Sequence, residues 1–249
     1  MAAANPCRVV NDLRELTDEV LVGVSGKDSL ACLELICSHQ NPFRRVQGFF
    51  MYLVPGLSFQ EAYLCYLERR YKISIWRVPH WQLGEMLREG TYRPLTTEAS
   101  MCPAISVAKM EHYLRARSGI EWVAGGHKIC DSLLRRLQVG LHRGMDFRHH
   151  RAFPLAYWSN SAVYSYLRQR KIPLPPDYAM YGHSFRNCLL PEDLGPIKQR
   201  FPGDYAKIKE VFPYVEATFY GAGKQPGAVH TQNDLTSTDQ PGAVQPQTD

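Results

Sequence analysis

Four short apolar runs mark the first half of the chain: 20–24 (VLVGV), 46–54 (VQGFFMYLV), 73–78 (ISIWRV) and 121–126 (EWVAGG). They are nearly continuous in apolar residues rather than alternating, the pattern of strands buried on both faces. Helical patterns separate them. The first covers 29–39. The second lies in SFQEAYLCYLERRY, where Phe59, Ala62, Tyr63, Tyr66 and Leu67 form one stripe and Ser58 and Glu61 have capping-box spacing. A third is predicted from Pro103 to about Arg117, with Cys102 near its N-cap. Asp131-Ser132 can start a fourth, FPLAYW reads as a short extended piece, and Asn160 or Ser161 caps a helix that turns Val163, Tyr166 and Leu167 inward. Strands and helices in this rhythm predict an α/β fold, a doubly wound, Rossmann-like parallel sheet of five strands.

The 249 residues, 45% of them hydrophobic, suffice for one substantial core. The expected organisation is an α/β domain over 1–152, a helical C-terminal part of the same domain over 153–220, and a disordered tail over 221–249. That tail has no aromatic residue and contains QPGAV twice. A net charge of +5 permits a phosphate-bearing partner without requiring one. Seven cysteines, an odd number with no CxxC, argue against a disulfide framework and for a reducing compartment. The N-terminal residues lack the pattern of a signal peptide, and the longest apolar run is about half a membrane span. A cytoplasmic protein without membrane association is expected, of unassigned oligomeric state.

The chemistry begins in the turn after the first strand, Ser25-Gly26-Lys27-Asp28-Ser29. In a doubly wound sheet, ligands sit beyond the carboxyl ends of the strands. A glycine there lets N–H groups converge, and the following helix adds its positive end, so the turn suits a phosphate group. Lys27 adds charge, and Ser25 and Ser29 add hydroxyls. A Walker A loop is excluded, because Asp28 follows Lys27 and Leu21 stands where its first glycine would be. A dinucleotide fingerprint is excluded by the spacing of Gly23 and Gly26.

The turn resembles the pyrophosphate (PP) loop, S-G-G-x-D-S, of the adenine nucleotide alpha-hydrolase superfamily, one glycine short. GGHKICDSLLRR at 125–136 is similar to the G-x-R-x-x-E-S-x-x-R-R segment of phosphoadenosine phosphosulfate (PAPS) reductase-like proteins. Gly126, Lys128, Asp131, Ser132, Arg135 and Arg136 fall on that pattern. GLSFQEAY at 56–63, CPAISVAK with Cys102 and Lys109, and the stretch from FPLAYW through IP to Cys188 resemble further family segments in the correct order. The resemblance covers about 20–215 and implies a HUP-type nucleotide fold. It also implies ATP or a PAPS-type adenine nucleotide as ligand, with Ser25, Gly26, Lys27, Asp28, Ser29, Gly126, Asp131 and Ser132 binding it. By the same resemblance, Asp28 would hold Mg²⁺, and Lys128, Arg135 and Arg136 would neutralise charge in the transition state.

The chain also departs from the family. Its tail carries no cysteine for an E-C-G motif, and Val54-Pro55-Gly56 replaces the family's D-T-G. Only Cys102 and Cys188 fall at positions where sulfur-transferring relatives hold a cluster, which gives an iron–sulfur centre little support. A Cys102 at a helix N-terminus would be a low-pKa thiol, and with Cys188 it would form a sulfur-carrying or redox pair. The segment 127–151, with six Lys or Arg against two Asp, offers a surface for a nucleic acid or a sulfur carrier. Three readings follow: a nucleotide alpha-hydrolase acting at the α-phosphate, a catalytically degenerate nucleotide-binding module, or a sulfurtransferase acting on DNA or tRNA.

Overall fold

The computed structural model describes residues 7–184 and 189–221. Twelve helices and six strands alternate along them. The first half holds α1 (Arg8–Leu16), β1 (Glu19–Gly23), α2 (Lys27–Cys37), β2 (Arg45–Tyr52), α3 (Ser58–Tyr71), β3 (Ser74–Pro79), α4 (Trp81–Arg88), α5 (Thr97–Ser100) and α6 (Val107–Ser118). The second half holds β4 (Val123–Ala124), α7 (Leu133–Leu141), β5 (Met145–Asp146), β6 (Arg151–Ala152), α8 (Asn160–Gln169), α9 (Pro176–Tyr181), α10 (Pro191–Arg200), α11 (Pro202–Val211) and α12 (Ala217–Gly221).

The strands form one sheet in the order β3-β2-β1-β4-β6-β5. All neighbours are parallel except β5 and β6. The expected doubly wound α/β sheet is present, with six strands rather than five, because residues 145–152 fold into an antiparallel edge hairpin. Side chains alternate across β1. Val20, Val22 and Val24 pack with α1, α2, α3 and α8, while Leu21 packs on the other face with Phe49, Val78, Met110 and Leu114. Burial on both faces explains why these strands are apolar without a period of two.

A third cluster joins Val54, Leu57 and Phe59 to Leu194, Ile197, Tyr205, Ile208 and Phe212 of the C-terminal helices. It changes one sequence expectation. Ser58 does not cap α3 through a box with Glu61; Leu57 is the N-cap residue and lends no side chain. Instead Asp204, buried on α11, accepts the Ser58 N–H and hydroxyl, each at 2.7 Å. Glu61 pairs with Arg77 at 3.0 Å. A carboxylate from a distant helix thus satisfies the orphan donors of α3 and ties the two clusters together.

The chain runs β1, β2, β3 toward one edge of the sheet and then returns to place β4 on the other side of β1. The order reverses between β1 and β4, so the loops leaving these two strands border the crevice where such sheets take ligands. Those loops contain Ser25–Ser29 and Gly125–Ser132. Among the described residues no helix is long and apolar enough to cross a membrane. Of the expected tail over 221–249, Gly221 is the last residue of α12, and 222–249 lie outside the described residues.

Candidate nucleotide site

The turn after β1 is braced from within. The Ser29 hydroxyl accepts the Ser25 N–H at 2.7 Å and donates to the Gly26 carbonyl at 2.8 Å. Helix α2 starts at Lys27 with Gly26 as N-cap and no capping side chain from its own sequence. The Lys27 N–H finds the Tyr178 hydroxyl of α9 at 3.1 Å. The Ser25 hydroxyl is exposed at the lip of the turn, 3.3 Å from that of Ser29.

The loop after β4 presses directly on this turn. A Cβ built on Gly126 would lie 2.5 Å from the Asp28 carbonyl carbon and 2.6 Å from the Ser29 nitrogen. These are backbone atoms that cannot swing aside, so glycine is required by the close approach rather than by φ. Two residues on, Lys128 has no exposed surface. Its Nζ lies 2.7 Å from Asp28 Oδ1 and 2.8 Å from Asp131 Oδ1. Both contacts are close ion pairs whose angles fall short of directed hydrogen bonds. Burial alone would lower the Lys128 pKa. The Asp131 and Asp28 carboxylates outweigh it and hold the pKa above the ordinary lysine value. Asp131 also accepts the Lys128 N–H at 2.8 Å, and Ser132 caps α7 through the Arg135 N–H at 3.2 Å.

Lys27 turns outward from the turn. Its Nζ donates to Asp28 Oδ2 at 2.8 Å and to Asn160 Oδ1 at 3.0 Å, and it lies 5.5 Å from the centre of the Tyr164 ring. Asp28 therefore stands between two ammonium groups, and the four charges of Lys27, Asp28, Lys128 and Asp131 sum to zero. This donor set does not fit a resident dication, which would meet both lysines at the only carboxylate of the turn.

Next to Ser25 lies a small, shallow depression of about 20 Å³, lined by Val24, Phe50, Tyr63, Leu64, Pro175 and Pro176, with Gln60 and Asp177.

Other predicted residues are placed differently. Arg135 is half-buried on α7, hydrogen-bonded to Gln138 at 3.1 Å, and Arg136 is exposed. Among the described residues, no hydrogen bond or ion pair links either to the turn. Cys102 is not at a helix N-terminus. It lies in the loop after α5, its N–H bonded to the Ala99 carbonyl at 3.1 Å. The following helix starts only at Val107, because the Ser106 hydroxyl caps it through the Lys109 N–H. The positive end of a helix therefore does not act on the Cys102 thiol. Cys188 lies outside the described residues. Among the described residues there is no cluster of three or more His, Cys, Asp or Glu able to hold a metal. In the segment 127–151, Lys128 is consumed in the site and Arg151 is paired with Glu111 at 2.8 Å.

Sequence reasoning missed Tyr178, Asn160 and Tyr164, which surround Lys27, and the part played by His127. That imidazole lies against Phe153, ring centres 5.6 Å apart. Burial, joined by the charges of Arg135, Arg151 and Lys128 and opposed by Asp131, pushes its pKa down to about 4. It is neutral at neutral pH.

The sequence model of the phosphoadenosine phosphosulfate reductase domain matches residues 19–186. The chain belongs to this family. Matching solved structures include the U34-tRNA thiolase NcsA from Methanococcus maripaludis with its 4Fe–4S cluster, at 15% identity and TM-score 0.47, covering 85% of this chain and 78% of that one. They also include the phosphoadenylyl-sulfate reductase from Candida auris in a phosphate complex, at 12% identity and TM-score 0.47, covering 70% and 84%. A third is the NH₃-dependent NAD synthetase from Campylobacter jejuni subsp. jejuni NCTC 11168 in complex with the nitrate ion, at 12% identity and TM-score 0.43, covering 90% and 98%. No curated protein matches the chain.

Proposed function

We propose that this PAPS reductase-family protein is an enzyme that binds ATP or a related adenylyl nucleotide and acts at its α-phosphate. The observation that carries this reading is the junction of the two loops at the sheet's reversal point. Gly126 is pressed onto the turn, and Lys128 is buried against Asp28 beneath it.

In this reading the base lies in the apolar depression beside Ser25. The phosphates lie over residues 25–29, against the N–H groups of Asp28 and Ser29 in the first turn of α2 and the Ser25 hydroxyl. Lys128 and Lys27 fix Asp28 from both sides, so its backbone N–H is set before the nucleotide arrives. Arg135 and Arg136, near the start of α7, are the cations proposed to meet charge on the departing group. An acceptor oxygen attacks the α-phosphorus. The bond from that phosphorus to the bridging oxygen breaks, its electron pair leaves with pyrophosphate, and AMP is left on the acceptor, or free when water attacks.

The test is product analysis with α-labelled ATP, and with PAPS offered in parallel. Labelled AMP with stoichiometric pyrophosphate, lost in Asp28→Asn, is expected. Nucleotide that binds and is returned intact with every acceptor class offered would leave a binding module instead.

A further inference from the structure

At the opposite end of the molecule two helices finish in similar sequences. Helix α3 ends in Arg69-Arg70-Tyr71-Lys72, and α8 ends in Arg168-Gln169-Arg170-Lys171. The fold brings these endings together although about a hundred residues separate them. Arg70 donates to the Arg170 carbonyl at 3.2 Å, and Tyr63 donates to the Pro173 carbonyl at 2.7 Å.

The acids that might offset this charge are engaged elsewhere. Both glutamates of α3, Glu61 and Glu68, pair with Arg77 at 3.0 and 2.6 Å. Glu34 pairs with Arg170 at 2.8 Å, and α8 contains no acid. Arg69, Arg70, Lys72, Arg168 and Lys171 are exposed and form no ion pair with a described acid. Their summed charge equals the whole chain's formal excess of +5.

Favourable contact with the helix dipole explains a cation or two in a last turn. It does not explain the two terminal lysines. Lys72 and Lys171 have φ values of 55° and 52°, the left-handed position after a helix where glycine or asparagine is least strained. Lysine stands at both, against the local backbone preference. Five cations in one patch, two of them at strained positions, form a concentrated anion surface rather than a scattered solvated one.

We propose that this basic pole is a docking surface for the phosphodiester backbone of a double-helical nucleic acid. The duplex follows from what the patch lacks. Its aromatic rings, Tyr66 and Tyr71, are half-buried, so no exposed ring is offered for stacking on unpaired bases. The pole lies at the C-terminal end of α3, whose 14 residues run about 20 Å. It therefore anchors the protein on a polyanion and leaves the nucleotide site open.

The test is fluorescence anisotropy of the full chain with a labelled duplex of roughly 20 base pairs, as RNA and as DNA, across a salt series. Contact with about four or five phosphates predicts a log–log salt slope near −4, a loss of roughly two orders of magnitude between 50 and 200 mM salt. The variant Arg69→Gln/Lys72→Gln/Arg168→Gln/Lys171→Gln should lose at least tenfold in affinity, while Arg143→Gln/Arg148→Gln should stay within twofold of wild type. Lys72→Gly/Lys171→Gly separates binding from folding: affinity should fall while thermal stability holds or rises. RNA and DNA binding equally would assign backbone contact alone, and a preference for RNA would add contact with the 2′-hydroxyl. Unchanged affinity in the fourfold variant, loss in the Arg143/Arg148 variant instead, or binding to phosphatidylserine vesicles without binding to either duplex would overturn the proposal.

Discussion

The Cα of Gly126 sits so close to Asp28 that an added methyl group would lie 2.5 Å from its carbonyl carbon and 2.7 Å from its carbonyl oxygen. This contact, made across the sheet's reversal point, sets the height of the phosphate turn above the loop that follows β4. Gly126→Ala must displace one loop from the other. It should cost about 1–3 kcal/mol of stability, the usual cost of overpacking, and lower nucleotide affinity by more than that loss implies. Urea denaturation and ATP titration on the same variant separate the two effects.

Lys128 neutralises two carboxylates from a fully buried position. Lys128→Met leaves Asp131 without its cation and Asp28 with Lys27 alone. Breaking a buried pair costs about 3–5 kcal/mol, and since both carboxylates retain some water the expected loss is about 2–3 kcal/mol. Adding Asp28→Asn removes one of those two carboxylates and should recover part of that loss. A double-mutant cycle in urea measures the coupling, and purely additive losses would show that the pair does not act as a unit.

Asp204 caps α3 from another helix. Asp204→Ala should cost about 1–2 kcal/mol, as other lost helix caps do. Burial acts to raise the Asp204 pKa, but hydrogen bonds from Ser58, Phe59 and Lys207 outweigh it and hold the pKa below the ordinary 3.8. Its folded pKa is depressed, so the stabilisation is present above pH 3.8 and is lost as pH falls through the lower folded value. Thermal melts between pH 5 and pH 3 should show a flatter decline in Asp204→Ala than in wild type.

His127 gives a different pH window. Its ordinary pKa of 6.5 falls to about 4 in the folded protein. The unfolded chain takes up the proton first, so stability is complete above pH 6.5 and falls as pH drops toward 4. Each such imidazole contributes a slope of about 1.4 kcal/mol per pH unit inside that window. Burial pushes His80 to about 4 as well, so two groups act together. His127→Phe keeps the packing on Phe153 and should remove about half the slope in chemical denaturation followed from pH 6.5 to 4.5.

The sheet was legible because burial on both faces writes itself as continuous apolar runs, and the phosphate turn because its glycine, lysine and serines follow such a run. The caps were less legible. Ser58 with Glu61 looks like a capping box by spacing, yet Asp204, 146 positions away, takes the Ser58 donors. Cys102 before Pro103 looks like a helix start, yet Ser106 wins because its hydroxyl reaches the Lys109 N–H. Local spacing cannot show which of two competent caps the tertiary fold selects. The residues around Lys27 were hidden for the same reason, since Tyr178, Asn160 and Tyr164 reach it only through packing of α8 and α9. Gly126 was recognised by family pattern, but its physical reason, a backbone approach too close for any side chain, appears only in three dimensions.

The account rests on the turn at 25–29 being the seat of the phosphates, and the most direct test is to observe its amides. Backbone amide spectra of the isotope-labelled protein, recorded as ATP is added, should show the largest shifts at Gly26, Lys27, Asp28 and Ser29, with Gly126 and Lys128 following and Phe50 and Leu64 of the depression responding to the base. Saturable shifts confined to any other part of the protein, with these amides unmoved, would contradict the account.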